Sequence, residues 1–321
     1  MERERAGIAD LLLEHAKRPL NVHLEEWFDS LEQRELTDRR RVEIPQRMRK
    51  LVGLAGWQRL TDINADSVQR CLNQLGVSAQ TRNHYLQHLK QFLRWCIPER
   101  LEFNPIAKIS RANVDTDPRH QRRELNESEK AKLLTSTANG PTRFGLDGAS
   151  RKMLHAMALG TGFRAGELRS LTRESFDLDK STVTLAARHS KHRRSDVQPI
   201  PPWLLGWLRT WFAEDRPLWP DLTPHTAKMI RADLEEARIP YVVERVDGRK
   251  FADFHALRHT FASDVARTVA PVKDMMELTR HSTAQLFLNR YAKTTTENKA
   301  RCVNQLADPL ANAQEPTAMT D

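Results

Sequence analysis

Two short segments carry the side chains that phosphate chemistry needs. In Thr161-Gly162-Phe163-Arg164-Ala165-Gly166-Glu167-Leu168, glycines bring the backbone close and Arg164 opens a new helix. A guanidinium there adds a bidentate fork to the partial positive charge of a helix N-terminus, a good seat for a phosphate. Glu167, three residues on, is placed to hold that guanidinium; read structurally, the same two residues are a surface Arg–Glu pair at i,i+3. In His255-Ala256-Leu257-Arg258-His259-Thr260, His255 and Arg258 share one helix face while Leu257 and Phe261 fall on another, toward a core. Arginine beside histidine offers charge stabilisation and proton transfer together.

Other chemistries lack their residues. A phosphate loop of the GxxxxGKS kind is missing, so ATP is not implied. Nor is there a cluster of carboxylates spaced for a two-metal nuclease, so phosphoryl chemistry would rest on cationic side chains rather than Mg²⁺. His255 and His259 have the i,i+4 spacing of a zinc pair, but Ala256 stands where the HExxH glutamate would be and no third ligand declares itself. His259 reads as structural. The expectation is an enzyme with no metal and no cofactor.

These groups need elements to position them. The chain of 321 residues is long for one core, which favours two domains. Lys and Arg number 51 against 42 Asp and Glu, a net charge of +9. That excess favours a polyanionic partner, nucleic acid or an anionic membrane surface, although a basic protein without such a partner fits it too. No stretch approaches the ~20 apolar residues of a membrane span, and no signal-peptide apolar run follows the charged Met1-Glu2-Arg3-Glu4-Arg5. Cys71, Cys96 and Cys302 show neither metal-ligand nor disulfide spacing, which reads as a cytoplasmic protein with reduced thiols.

From about Leu20 to Cys96 the periodicity is helical throughout: Leu24, Trp27, Phe28 and Leu31; then Ile44, Met48, Leu51 and Val52; then Val68, Cys71 and Leu72 behind an Asn64 cap. A fourth helix, capped by Ser78, carries Tyr85, Leu89, Phe92 and Cys96 on one stripe and Arg82, His84, Lys90, Gln91 and Arg94 on the other face. Periodicity fails from Ile106 to Arg123, where Arg119, His120, Arg122 and Arg123 suggest a basic linker. Asn126-Glu127-Ser128-Glu129 then starts a second domain with a capping box. Val183–Leu185 and Val197–Ile200 flank a basic turn and predict a small hairpin, and everything after Pro201 reads as mainly helical. The expected divisions are a flexible N-terminus (1–18), a helical domain (19–110), the linker (111–123), a second domain (124–308) and a flexible tail (309–321).

In this order the segments resemble the tyrosine recombinase (phage integrase) family, over about Leu20 to Leu306. Its pattern is an arginine in a TGxRxxEL context, a hairpin lysine, His-x-x-Arg, a further His or Trp, and a C-terminal tyrosine. Here those fall on Arg164, Lys191, His255 with Arg258, His281 and Tyr291. Leu278-Thr279-Arg280-His281-Ser282 followed by Asn289-Arg290-Tyr291-Ala292 is close to the family's ending, though Thr279-Arg280 replaces the commoner Leu/Met-Gly. From His281 to Tyr291 is ten residues, one more than in several members. Lys191 lies in the turn Ser190-Lys191-His192-Arg193-Arg194, whereas Lys180 precedes the first strand and reads as a solvated turn residue. Of the three tyrosines, Tyr85 sits on an apolar stripe and Tyr241 follows a proline, so elimination also favours Tyr291.

The resemblance implies a mainly α fold with a small antiparallel β-hairpin or sheet: a helical, SAM-like core-binding domain and a catalytic domain, together a C-shaped DNA clamp. It implies a site-specific recombinase that cuts and rejoins DNA through a 3′-phosphotyrosine, with Tyr291 the nucleophile, Arg164, Arg258 and His281 on the phosphate, His255 taking the tyrosine proton and Lys191 protonating the leaving 5′ oxygen. The partners so implied are double-stranded DNA, three further copies in a homotetramer on paired sites, and accessory DNA-bending proteins, in the cytoplasm at the nucleoid and with no membrane. DNA contacts would include Arg82, Lys90 and Arg94 in the groove and Arg119, Arg122 and Arg123 on the backbone. Val303, Leu306 and Leu310 suit either a helix that docks on a neighbouring copy or an intrachain cap. Two rivals differ in class: a type IB topoisomerase-like relaxase, which would relax supercoils without synapsis, and a non-catalytic DNA-binding protein, which needs no nucleophile.

Overall fold

The computed structural model describes residues 11–189, 194–219, 225–268, 270–281, 283–291 and 303–304. Among the described residues the protein is mainly helical with two small sheets, and the chain divides into two compact units, Met1–Arg119 and His120–Asp321.

The first unit is helical because its apolar residues recur every three to four positions. Residues 11–17, expected to be part of a flexible terminus, form a helix (α1). It is tied to α2 (Leu20–Glu32), where His23 Nε2 donates to the His15 carbonyl at 3.1 Å and Arg18 pairs with Glu26 at 2.5 Å. One face of α2 buries Leu20, Leu24, Trp27, Phe28 and Leu31, and the Trp27 ring meets Phe92 at 5.4 Å. Helix α3 (Asp38–Ala55) adds Ile44, Met48 and Leu51 to the core, and α4 (Ala65–Gln74) adds Val68, Cys71 and Leu72. Asn64 caps α4 by accepting from the Ser67 N–H at 2.9 Å, and Ser78 caps α5 (Ala79–Cys96) by accepting from Thr81 at 3.2 Å. Each large apolar side chain so buried contributes about 1.5–3 kcal/mol. Cys71 and Cys96 are free and buried, and burial pushes the Cys96 thiol up to about 12; Cys302 lies outside the described residues.

The chain after α5 turns back on it. Asn83 both donates to the Ala112 carbonyl (2.9 Å) and accepts from the Ala112 N–H (2.8 Å), and Lys90 Nζ donates to the Ile109 carbonyl at 2.6 Å. Asp117 accepts from the Ala79 N–H at 2.8 Å, at the start of α5. The first half of the expected linker is thus fastened to the first unit.

In the second unit, α6 (Glu127–Ala138) begins with the anticipated Asn126 cap and packs on α7 (Gly148–Thr161). Buried on nearly every side, α7 is held to α10 (Thr226–Glu236) by a polar knot in which Asp233 accepts from Arg151 (3.1 Å) and pairs with His155 (2.9 Å). Gly162 ends α7 at φ +66°, and a Cβ there would lie 2.3 Å from the Phe261 ring, so only glycine permits both the left-handed turn and the approach of the later helix. After the short α8 (Ala165–Arg169) the predicted hairpin is present as β3 (Thr182–Leu185) and β4 (Asp196–Pro199), and β2 (Phe176–Asp177) widens it to an antiparallel sheet in the order β2-β3-β4. Helix α9 (Pro202–Ala213) covers the core with Leu204, Leu208 and Trp211.

The region after Pro201 is not all helix. Val242–Arg245 (β5) and Gly248–Phe251 (β6) form a hairpin around Val246-Asp247, and β1 (Gln121–Arg122) joins it in parallel with Lys250–Phe251. Gly248 at φ +105° closes the turn. Helices α11 (Phe254–Ala266), α12 (Val272–Thr279) and α13 (Ala284–Tyr291) follow, and Phe287 is buried with Ala262, Val265 and Met275. No described helix is long and apolar enough to cross a membrane.

Candidate active site

Arg164 stands at the N-cap of α8 with an extended backbone. Its N–H donates to Glu167 Oε2 at 2.8 Å and its Nη1 to Oε1 at 2.9 Å, so the i,i+3 pair is a local brace rather than a loose surface contact. The Arg164 side chain keeps 30% of its surface exposed, while Glu167 keeps only 5%. Burial pushes the Glu167 carboxyl up, but the Arg164 N–H and the guanidiniums of Arg280 and Arg164 together outweigh it and hold it below the usual carboxylate range.

Arg258 is buried in the middle of α11. It donates from Nη1 to the Gly162 carbonyl and from Nη2 to the Thr279 carbonyl, which joins the segment just before Arg164 to the segment just before His281. These bonds use two of the five N–H groups of a guanidinium. One turn earlier, His255 lies behind the α11 cap, where Asp253 accepts from the Ala256 N–H at 3.0 Å. Asp253 is itself held by Arg122 Nε at 2.9 Å and His120 Nε2 at 3.1 Å. Burial, then the nearby guanidiniums of Arg122 and Arg258, push His255 down to about 3, against the opposing charge of Asp253. The imidazole is therefore neutral at pH 7, with one ring nitrogen able to accept a hydrogen bond.

That shift makes His255 a stability group with a definite sign. Between pH 6.5 and about 3 the unfolded histidine takes up a proton that the folded one refuses, so stability falls as pH drops through that window. Unfolding free energy measured at pH 7.5 and 5 should fall by about 2 kcal/mol more in the parent than in His255→Asn. Equal pH slopes for the two would show that His255 is not held neutral.

His281 follows the end of α12. Its Nδ1 lies 2.7 Å from Thr279 Oγ1, whose hydroxyl donates to the Met275 carbonyl at 2.7 Å. Nδ1 is then the donor in the first of these bonds, and Nε2 can donate to a phosphate oxygen only when the ring is protonated. The β3–β4 sheet is fixed to this turn, since Gln198 Nε2 donates to the Leu278 carbonyl at 3.0 Å. Tyr291 is the last residue of α13, and position 291 lies one turn beyond the buried Phe287, whose ring is 5.8 Å from that of His281. Lys191 lies outside the described residues. Lys180 pairs with Asp177 at 2.8 Å and is 80% exposed, as a solvated turn residue should be.

Of the residues expected on DNA, Arg94 and Lys90 line an open groove of the first unit with Arg34, Arg40 and Arg111, and Arg82 lines a second with Lys108 and Arg111. Arg34, Arg40, Lys108 and Arg111 escaped the sequence reading because they belong to no single helix face. Arg119 pairs with Asp117 and donates to the Gly76 and Val77 carbonyls. Arg122 and Arg123, read as linker cations, are built into the second unit: Arg122 holds Asp253, and Arg123 pairs with Glu129 at 2.8 Å and donates to the Pro240 carbonyl. Arg122 thus steadies the start of the helix that carries His255 and Arg258.

A lambda integrase fragment bound as a dimer to a core site has the same fold, with a TM-score of 0.67 at 15% identity over 86% of this chain and 95% of that one. The Tn1549 transposon integrase, in complex with transposon right end DNA, gives 0.65 at 15% identity over 89% and 99%. In sequence, the tyrosine recombinase XerC of Yersinia pestis is 26% identical over 78% of this chain and 81% of its own length. XerA of Thermococcus kodakarensis is 25% identical over 76% and 85%. The profile of the phage integrase family matches residues 123–298, the greater part of the chain, and the protein belongs to that family.

Proposed function

We propose that this protein is a site-specific DNA recombinase in which Tyr291 attacks a phosphodiester. What carries this reading is the set of bonds by which Arg258 and Glu167 gather the segments of Arg164, of His255 with Arg258, and of His281 around one place. A phenol has a pKa of about 10 and needs help at neutral pH. His255 takes the phenolic proton as the tyrosine oxygen bonds to phosphorus, once the negative charge of the bound phosphate offsets the guanidiniums that disfavour its protonated form in the free protein. Arg164 and Arg258 neutralise the non-bridging oxygens as charge builds on them, each contributing about 3–4 kcal/mol to the transition state. His281, in its protonated form, adds a hydrogen bond from Nε2 to the same phosphate. The P–O5′ bond breaks, Lys191 protonates the departing 5′ oxygen, and a 3′-phosphotyrosine remains. A 5′ hydroxyl from a second strand then attacks that phosphorus and releases the tyrosine.

Exchange between two duplexes needs four such cuts, which is met by a homotetramer on paired sites, with or without accessory DNA-bending proteins. Its DNA is gripped by the basic grooves of the first unit, where phosphate contacts dominate. The working place is the cytoplasm, at the nucleoid.

The role of Lys191 has a direct test. Lys191→Ala should cleave ordinary DNA poorly yet recover on a substrate whose 5′ leaving group is a phosphorothiolate, because a thiolate leaves without a proton. Lys180→Ala should cleave both like the parent. Thiolate rescue of Lys180→Ala instead would move the general acid to Lys180.

A further inference from the structure

Arg280 is the residue that neither the motif series nor the mechanism above has used. It occupies a left-handed backbone position (φ +55°, ψ 47°) at the end of α12, where a residue with a Cβ is strained and glycine is not. Its side chain is 3% exposed, so a charge has also been taken out of water. Glycine at this position would avoid both costs, and what offsets them must be sought in what the guanidinium touches. It touches two carboxylates. Nη1 and Nη2 donate to Glu167 Oε2 and Oε1 at 2.8 and 3.1 Å, a bidentate fork, and Nε donates to Asp196 Oδ2 at 3.2 Å. The face of the guanidinium lies over the Phe163 ring, 5.2 Å from its centre.

The consequence is electrostatic. Glu167 is the carboxylate that braces Arg164, and a carboxylate next to a phosphate-binding arginine is a competitor for that arginine and repels the phosphate. With Arg280 forked onto it, the Glu167 charge is already balanced, and Arg164 gives it one side-chain N–H bond rather than two. Through Asp196, the first residue of β4, the same guanidinium ties the β3–β4 sheet to the turn that precedes His281. We infer that Arg280 is a positioning residue for strand cleavage: it neutralises Glu167 so that Arg164 keeps its charge for the scissile phosphate. This rests on the reading of Arg164 as a phosphate ligand.

The test is single-turnover formation of the covalent protein–DNA adduct on a nicked suicide substrate, with DNA affinity measured alongside. Arg280→Gly relieves the backbone and should fold, bind DNA like the parent and form adduct about 10- to 100-fold more slowly. Adding Glu167→Gln removes the unbalanced charge while leaving an acceptor for Arg164, and should restore at least about a fifth of the lost rate. A structural defect would deepen with that second change rather than recover, so a slower double variant overturns the inference, as does Arg280→Gly within about twofold of the parent. Should Arg280→Gly not fold, Arg280→Lys, which keeps charge, must outpace Arg280→Gln, which does not; equal rates overturn it. A parent that forms no adduct overturns the recombinase reading and this inference with it. A parent that does, beside an unimpaired Arg280→Gly, overturns the inference alone.

Discussion

Arg164→Lys is expected to slow strand cleavage by about 10²- to 10³-fold, the usual loss when one preorganised donor to a developing oxyanion is removed. Lysine keeps the positive charge but not the planar fork, so it cannot bond two phosphate oxygens at once. The fold should tolerate the change. Arg164 is partly exposed, its backbone N–H still donates to Glu167, and Glu167 keeps the bidentate Arg280 as its buried partner. The loss should therefore appear in the single-turnover cleavage rate, with melting temperature and DNA affinity close to the parent's. Arg258→Lys makes the informative contrast. It breaks the links to the Gly162 and Thr279 carbonyls and should lower stability and cleavage together. Cleavage by Arg164→Lys within about threefold of the parent would remove Arg164 from the phosphate.

What could be read from the sequence was what is local. The caps at Asn64, Ser78 and Asn126 and the apolar stripes of α2 to α5 are properties of residues within a single helix or its first turn, and they stand where periodicity and capping chemistry put them. Glu167 braces Arg164 because both lie within one helical turn. The β5–β6 hairpin escaped because its strands are largely exposed and lack the alternation that marks a half-buried strand; the Asp247-Gly248 pair was the available signal. Its stability also depends on β1, more than a hundred residues earlier. Arg122 and Arg123 show the same limit. A basic run reads alike whether it is solvated or paired, and the partner of Arg122, Asp253, lies 131 positions away. Arg280 was visible only as a departure from glycine. Its meaning lies in Glu167, 113 residues before it, and no local pattern contains that contact.

Tyr291→Phe carries the largest expected effect, complete loss of the covalent step. Position 291 ends α13 one turn after Phe287, which is anchored in the core beside His281. Phenylalanine keeps the ring and removes only the attacking oxygen, so the variant should fold and bind DNA about as tightly as the parent. No other group is expected to substitute: Tyr85 is buried in the first unit, and Tyr241 packs against Phe251 in the second. The decisive measurement uses a nicked suicide substrate whose cleaved fragment diffuses away, in the presence of EDTA, with the products run on a denaturing gel and mapped by peptide mass. The parent should give a slower band in which a 3′-phosphotyrosine maps to Tyr291, and Tyr291→Phe should give none. An adduct that persists in Tyr291→Phe, or one that forms only when a divalent metal is added, would contradict the account.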